Sequence, residues 1–304
     1  MSSPYNLITI LGTTACGKTK LATALAYELN SEIISADSRQ VYRGMDIGTG
    51  KDLEDYTING KQIPYHLIDI VEAGTKYNVY EFQKDFTNVY NEITSRNITP
   101  ILCGGSGLYL EAVIKGYNMP DVPANETLRE ELKNKSLEEL TDILKKYKNV
   151  RNNSDTDTPK RAIRAIEIAK FIQENQLATT NSPQINSLII GIDIDREYRR
   201  KLITKRLKDR LENGMIEEIK GLMDRGIPAE DLIYYGLEYK FVTLYLTNQL
   251  SYNEMFNQLE IAIHQFAKRQ ATWFRGMERR GFTIHWIPAT MNTNDKIQQI
   301  KKLL

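Results

Sequence analysis

Residues 12–19 read Gly12-Thr13-Thr14-Ala15-Cys16-Gly17-Lys18-Thr19. Two glycines around a four-residue spacer, followed by lysine and a hydroxyl residue, form the spacing that cradles phosphate, the P-loop. Backbone N–H groups of such a loop and of the helix that follows make an anion site. Lys18 adds a point charge for a terminal phosphate, and Thr19 a hydroxyl for Mg²⁺. The chemistry implied is binding of a di- or triphosphate.

A second candidate is Asp37, in Ala36-Asp37-Ser38-Arg39-Gln40. A carboxylate there can take a proton from an attacking nucleophile. It can equally serve as a helix cap or turn residue. Its neighbours Ser38, Arg39 and Gln40 are polar and able to read another molecule. A third cluster is Gly104-Gly105-Ser106-Gly107. A hydrolase of the usual P-loop kind holds its metal with an acid at the end of an apolar strand. Here the strand Ile101-Leu102-Cys103 runs into glycines instead.

Positioning these clusters needs strands that end at them. Leu7–Leu11 reads as a buried strand, and residues 18–30 carry apolar positions at helical spacing. Further strands are predicted at 32–35, 66–70 and 99–103, with a helix over 77–96. Alternating strands and helices predict parallel βαβ units, whose ligands sit at the carboxyl ends of the strands. All three clusters fall there. The pattern breaks at Met119-Pro120-Asp121-Val122-Pro123. Residues 125–178 are polar and helical, with Thr158 as a cap and Pro159 at the first helical position. A strand resumes over 187–193. Helices follow at about 196–224, 229–248 and 252–276, with a last strand at 283–287. The fold class expected is α/β: a P-loop NTPase-like parallel sheet core, residues 1–119 and 184–304, with an inserted small helical domain, residues 120–183.

Composition sets wider bounds. The chain has 304 residues, is 41% apolar and 26% charged, and carries a net charge of +1. That is the make-up of a globular protein, and any basic surface must be local. Two cysteines, Cys16 and Cys103, make no disulfide framework and read as reduced cytosolic thiols. No apolar run reaches the ~18 residues of a membrane span, and no signal peptide is read. A cytoplasmic location is expected.

Several segments together resemble the tRNA dimethylallyltransferase (IPP transferase) family. They are the P-loop, then Ser35 to Lys51 (SADSRQVYRGMDIGTGK), Pro64-Tyr65-His66-Leu67-Ile68-Asp69, and Gly104 to Tyr109 (GGSGLY). Lys160 to Glu167 (KRAIRAIE) and Ala267 to Arg275 (AKRQATWFR) follow in order. The resemblance implies transfer of a dimethylallyl group from its diphosphate to N6 of the adenosine beside the anticodon, in tRNAs reading codons that begin with U. The loop Gly12–Thr19 would then hold pyrophosphate rather than ATP, with Mg²⁺ on Thr19.

The resemblance also assigns roles. Asp37 becomes the general base. Ser106, where the family usually has threonine, hydrogen-bonds the bridging or leaving oxygen. Arg206 clamps the diphosphate, a task suited to a fixed fork of donors. The tRNA would be met by Asp37, Ser38, Arg39, Gln40, Ser106, Lys160, Arg161, Ala162, Ile163, Arg164 and Lys268. Arg199, Arg206 and Arg210 share one helix face, and Lys268, Arg275 and Arg279 another; each set, like Lys160, Arg161 and Arg164, reads either as local RNA contact or as a solvated charged face. His66 matches a family position and can be purely structural. His264 and His285 read as ordinary, and Trp273 and Trp286 as core.

One segment departs from the pattern. Where many members have Gly-Tyr-Arg, in a segment that the resemblance places against RNA, this chain has Gly236-Leu237-Glu238-Tyr239-Lys240, and Lys240 is expected to serve for the arginine. The implied partners are a tRNA anticodon stem-loop and dimethylallyl diphosphate, with no membrane, and the protein is expected to be a monomer. Two alternatives stay open: a prenyltransferase acting on free adenylate, and a P-loop nucleotide kinase or ATPase.

Overall fold

The computed structural model describes residues 4–117, 119–148, 155–175 and 183–304. The chain divides into two compact units. One comprises Met1–Gly116 with Pro183–Leu304, and the other Tyr117–Ser182.

The larger unit begins with β1 (Leu7–Gly12), α1 (Lys18–Leu29) and β2 (Ile33–Ser35). Four two-residue strands follow: β3 (Tyr42–Arg43), β4 (Thr57–Ile58), β5 (Lys61–Gln62) and β6 (Tyr65–His66), and then β7 (Val71–Glu72) makes a fifth. Next come α2 (Val79–Ser95), β8 (Ile101–Gly104) and α3 (Gly107–Lys115). The smaller unit holds α4 (Glu126–Leu132), α5 (Leu137–Lys145) and α6 (Pro159–Asn175). The larger unit resumes with β9 (Ser187–Asp193), α7 (Arg196–Glu212), α8 (Met215–Asp224), α9 (Ala229–Tyr234), α10 (Leu237–Leu246), α11 (Tyr252–Arg279), β10 (Ile284–Pro288) and α12 (Thr293–Lys301).

Six strands form one parallel sheet in the order β10-β9-β1-β8-β2-β6. β1 lies inside it, with Ile10 opposite Cys103 on one side and Ile190 on the other. Side chains alternate across a strand, and the core follows. Leu7 and Leu11 join an apolar cluster with Ile34, Leu102 and Ile189, covered by α2, α3 and α11. Ile8 and Ile10 join a second cluster with Ile33, Ile101 and Ile190, covered by α1 and α12. Helices on both faces of a parallel sheet are the α/β arrangement expected. Burying each such side chain contributes roughly 1.5–3 kcal/mol, so the carboxyl end of β1 is a firm platform.

Boundaries differ from the sequence reading where local backbone overrides the pattern. The expected strand at 66–70 shrinks to Tyr65–His66, because Leu67 and Asp69 turn into the left-handed region with φ of 62° and 55°. The helix expected over 196–224 divides at Asn213-Gly214, and that over 229–248 divides at Tyr235-Gly236. Gly236 has φ 145°, which a side chain would strain. Among the described residues the block 125–178 forms three helices, as a helical block should; residues 149–154 and 176–178 lie outside them. In this smaller unit Leu128, Leu132, Leu140, Leu144, Ala162 and Ile166 make the core.

Candidate active site

The P-loop bends because Ala15 and Gly17 both take positive φ, 61° and 84°. Alternating left- and right-handed residues turn successive N–H groups inward, which makes an anion-binding concavity. Lys18 and Thr19 open α1, at the positive end of its dipole. The Lys18 ammonium donates to Thr13 O at 2.9 Å. The Thr14 N–H donates to Gln270 Oε1 at 2.8 Å, and Gln270 Nε2 donates to Gly105 O at 3.0 Å. A side chain of α11 therefore ties the P-loop to the loop after β8.

Thr14, Lys18 and Thr19 line a cavity of about 340 Å³. Asp37, Ser38, Arg39, Gln40, Ser106 and Arg206 line the same cavity. This volume suits a small ligand. Gly12, Thr13, Ala15, Cys16 and Gly17 do not line it; they shape the loop from behind. Cys103 does line it, and burial pushes its thiol up to about 12, so it is no thiolate nucleophile.

Asp37 follows β2, whose next residue Ala36 donates its N–H to Cys103 O at 2.8 Å. Asp37 Oδ1 accepts from Arg39 N–H at 2.9 Å. The turn role and the site role thus fall on one carboxylate. Ser106 Oγ accepts from Ser38 N–H at 3.2 Å, which joins the β2 and β8 loops. Gln40 is engaged inward: its Nε2 donates to Gly50 O at 3.0 Å and its Oε1 accepts from Ser35 Oγ at 3.1 Å. Its amide orders the Gly44–Lys51 loop while the side chain also lines the cavity. Glu218 secures the same loop by accepting from the N–H groups of Asp46, Ile47 and Gly48. The ammonium of buried Lys51 joins Asp46 and Asp69.

Arg206 reaches the cavity from α7 and pairs with Asp52, a residue of another segment. It is not paired along its own helix. Arg210, one turn on, lies 3.6 Å from the other Asp52 oxygen and is only 14% exposed. Sequence reading placed Arg210 in a basic stripe without giving it a site role. Its spacing of four from Arg206 was the available signal. Five cationic side chains, Lys18, Arg39, Arg206, Arg210 and Arg269, face two carboxylates, Asp37 and Glu238, so the cavity attracts anions. Burial pushes the Glu238 carboxyl above the usual carboxylate range, against the pull of Arg210. Burial likewise lowers the Arg210 guanidinium from its ordinary value.

The departing segment 236–240 divides between the cavity and the surface. Leu237 and Glu238 line the cavity, whereas Lys240 is exposed and lies against the Phe241 ring at 5.3 Å. Its ammonium is therefore on the surface rather than in the cavity.

Other expected residues lie elsewhere. Lys268 lines a separate groove of α7 and α11 with Arg196, Arg199, Arg200 and Arg275. In the smaller unit Lys160 is exposed, and Arg161 pairs with Asp157. Arg164 is bound into the unit: it pairs with buried Glu167 and donates to Val122 O at 2.8 Å. Ala162 is fully buried and Ile163 packs on the same core, so the Ala162 side chain presents nothing to a partner. His66 Nε2 meets Glu32 at 2.8 Å, a structural contact outside the cavity. Trp273 is 38% exposed and carries Arg280 over its ring at 5.6 Å, which corrects its reading as core. Trp286 packs against the core, as expected. No helix among the described residues is long and apolar enough to cross a membrane.

Comparison with known proteins agrees with this geometry. A family model described as IPP transferase matches residues 40–277. The chain is 63% identical over 300 residues to tRNA dimethylallyltransferase 2 of Phocaeicola vulgatus, covering 99% of this chain and 98% of that one. It is 63% identical over 297 residues to tRNA dimethylallyltransferase 2 of Porphyromonas gingivalis, covering 98% of each. Among solved structures, the tRNA isopentenylpyrophosphate transferase of Bacillus halodurans superposes with a TM-score of 0.70 at 35% identity, over 97% of this chain and 94% of that one. With Lys18, Asp37 and Arg206 lining one cavity, and with relatives alike from end to end, the chain belongs to the IPP transferase family.

Proposed function

We propose that this protein transfers a dimethylallyl group from dimethylallyl diphosphate to N6 of the adenosine 3′ of the anticodon, in tRNAs that read codons beginning with U. The observation that carries the reading is the meeting of Lys18, Asp37, Ser106 and Arg206 in one cavity of about 340 Å³. A kinase can also use a carboxylate as base, but here β8 runs into Gly104-Gly105 without an acid to hold a nucleotide's metal, and relatives that match the chain from end to end are named tRNA dimethylallyltransferases.

In this reading the diphosphate lies against the P-loop amides and Lys18. Arg206 closes on it, oriented by Asp52. The allylic C1–O bond breaks as N6 attacks C1, and pyrophosphate leaves. Asp37 takes the N6 proton on the carboxylate oxygen not held by Arg39 N–H. Negative charge grows on the departing oxygens, and Lys18, Arg206, Arg210 and the Ser106 hydroxyl stabilise it. The adenine must leave its stack to reach the cavity.

Mg²⁺ fits the donor set. It keeps several waters and takes only one or two protein oxygens beside the phosphates, and Thr19, which carries a hydroxyl, lines the cavity. Bound there, it supplies charge neutralisation of the diphosphate. Lys160 and Arg161 on α6, and the Lys268 groove on α7 and α11, are the surfaces assigned to tRNA phosphates. The protein acts as a cytoplasmic monomer in this account.

The test is direct. Purified protein is incubated with dimethylallyl diphosphate and unmodified tRNA, and the nucleosides are resolved by mass spectrometry. One prenyl unit on the adenosine beside the anticodon supports the reading. Prenylated AMP with untouched tRNA, or ATP turnover without prenyl transfer, overturns it in favour of the adenylate enzyme or the kinase.

A further inference from the structure

From the surroundings of Tyr234 we infer a stacking platform at the rim of the cavity, which holds the base of a nucleotide flanking the flipped adenosine. The inference rests on the proposed reading of the cavity as a nucleobase site. Tyr234 ends α9 and is 45% exposed. Two cations attend its ring: the Arg39 guanidinium carbon lies 5.4 Å from the centroid and the Lys76 ammonium 5.9 Å. Arg39 itself lines the cavity, as do Tyr235 and Gly236, the next two residues of the chain. The aromatic therefore stands immediately outside the mouth.

Its position is built rather than incidental. Tyr235 is buried, packs edge-on against Tyr42 at 4.5 Å and against Tyr234 at 5.9 Å. The Tyr235 hydroxyl accepts from Gly74 N–H at 2.8 Å and donates to Thr75 O at 2.7 Å. That pair of bonds fixes the loop that presents Lys76. An exposed aromatic between two cations is the arrangement that receives single-stranded nucleic acid: the ring stacks on a base and the cations meet its phosphates. Both cations sit at the outer edge of ring contact, so a base can take the face while they move to the backbone. A base flipped into the cavity leaves its neighbour unstacked, and Tyr234 replaces the lost partner.

The experiment measures binding of an anticodon stem-loop RNA to the wild type, Tyr234→Ala and Tyr234→Phe, with dimethylallyl diphosphate KM as a check on the cavity. Stem-loops carrying an abasic residue on either side of the target adenosine complete a double-mutant cycle. Tyr234→Ala should weaken RNA binding about ten-fold, leave the donor KM unchanged, and be matched by one of the abasic RNAs. That abasic RNA should lose no further affinity on Tyr234→Ala, and Tyr234→Phe should stay within about two-fold of wild type. Wild-type affinity in Tyr234→Ala, or independent effects of the two changes, overturns the platform while the enzyme still prenylates RNA. A wild type that neither binds nor prenylates the stem-loop overturns the functional reading and the platform with it.

Discussion

Gln270 Oε1 accepts the Thr14 N–H at 2.8 Å while its amide nitrogen donates to Gly105 O at 3.0 Å. One buried amide on α11 thus sets the distance between the phosphate loop and the loop that carries Ser106. Both bonds lie in a poorly hydrated place, where leaving a partner unsatisfied costs about 1–3 kcal/mol. Gln270→Ala should lower kcat/KM for the allylic diphosphate about ten- to hundred-fold and reduce thermal stability modestly. Steady-state kinetics beside a melting curve check this; an unchanged kcat/KM would return Gln270 to a packing role.

Arg206 and Arg210 share Asp52, and the sharing separates their expected effects. Arg206 lies at the cavity wall, about a third exposed. Its loss to Ala should raise the donor KM and lower kcat, for a total of about 1.5–3 kcal/mol. Arg206→Lys should recover only part, because an ammonium cannot make a two-point contact. Wild-type values of both constants in the alanine variant would sink the clamp.

Much of this site was legible in the sequence because it rests on short-range signals. The P-loop spacing, the strand before it and the helix after it are local, and Asp37 stands two residues past the end of β2. Gln270 and Arg210 were not legible as site residues, since their partners lie far along the chain and only the packing of α7 and α11 brings them in. Strands β3 to β7 have two residues each, too few for any alternation to register. α12 was missed because its apolar side is little more than Ile297 and Ile300, although Asn292 caps it.

The basic residues of α6 divide by what they already hold. Arg164 pairs with Glu167, which also accepts from Asn125 N–H and meets Arg129. Arg164→Ala should therefore destabilise residues 125–170, seen as faster amide exchange there. Lys160→Ala with Arg161→Ala should leave exchange alone and flatten the salt dependence of tRNA binding. The reverse pattern would exchange their roles.

Glu167 also gives the smaller unit a pH dependence. Burial alone would raise its carboxyl, but the Asn125 N–H, Arg164 and Arg129 outweigh it and hold the group below its usual 4.5. A folded-state value below the unfolded one contributes stability that is present above 4.5 and lost as pH falls through the folded value. Protection factors over 125–170, which correct exchange for its intrinsic slowing in acid, should fall on acidification below that point in the wild type. Glu167→Gln should be less stable at neutral pH and lose less on acidification. Equal acid sensitivity of the two proteins would remove Glu167 as the cause.

The central claim is that Asp37 is the base in an alkylation of N6 by a diphosphate held on the P-loop. Single-turnover transfer from dimethylallyl diphosphate to an anticodon stem-loop tests it most directly, with equilibrium binding of the donor measured on the same Asp37→Asn protein. The account predicts transfer slowed about 10²–10⁴-fold with donor affinity essentially that of wild type. Transfer at more than about a third of the wild-type rate would contradict the assignment, because a base worth that range cannot be lost so cheaply.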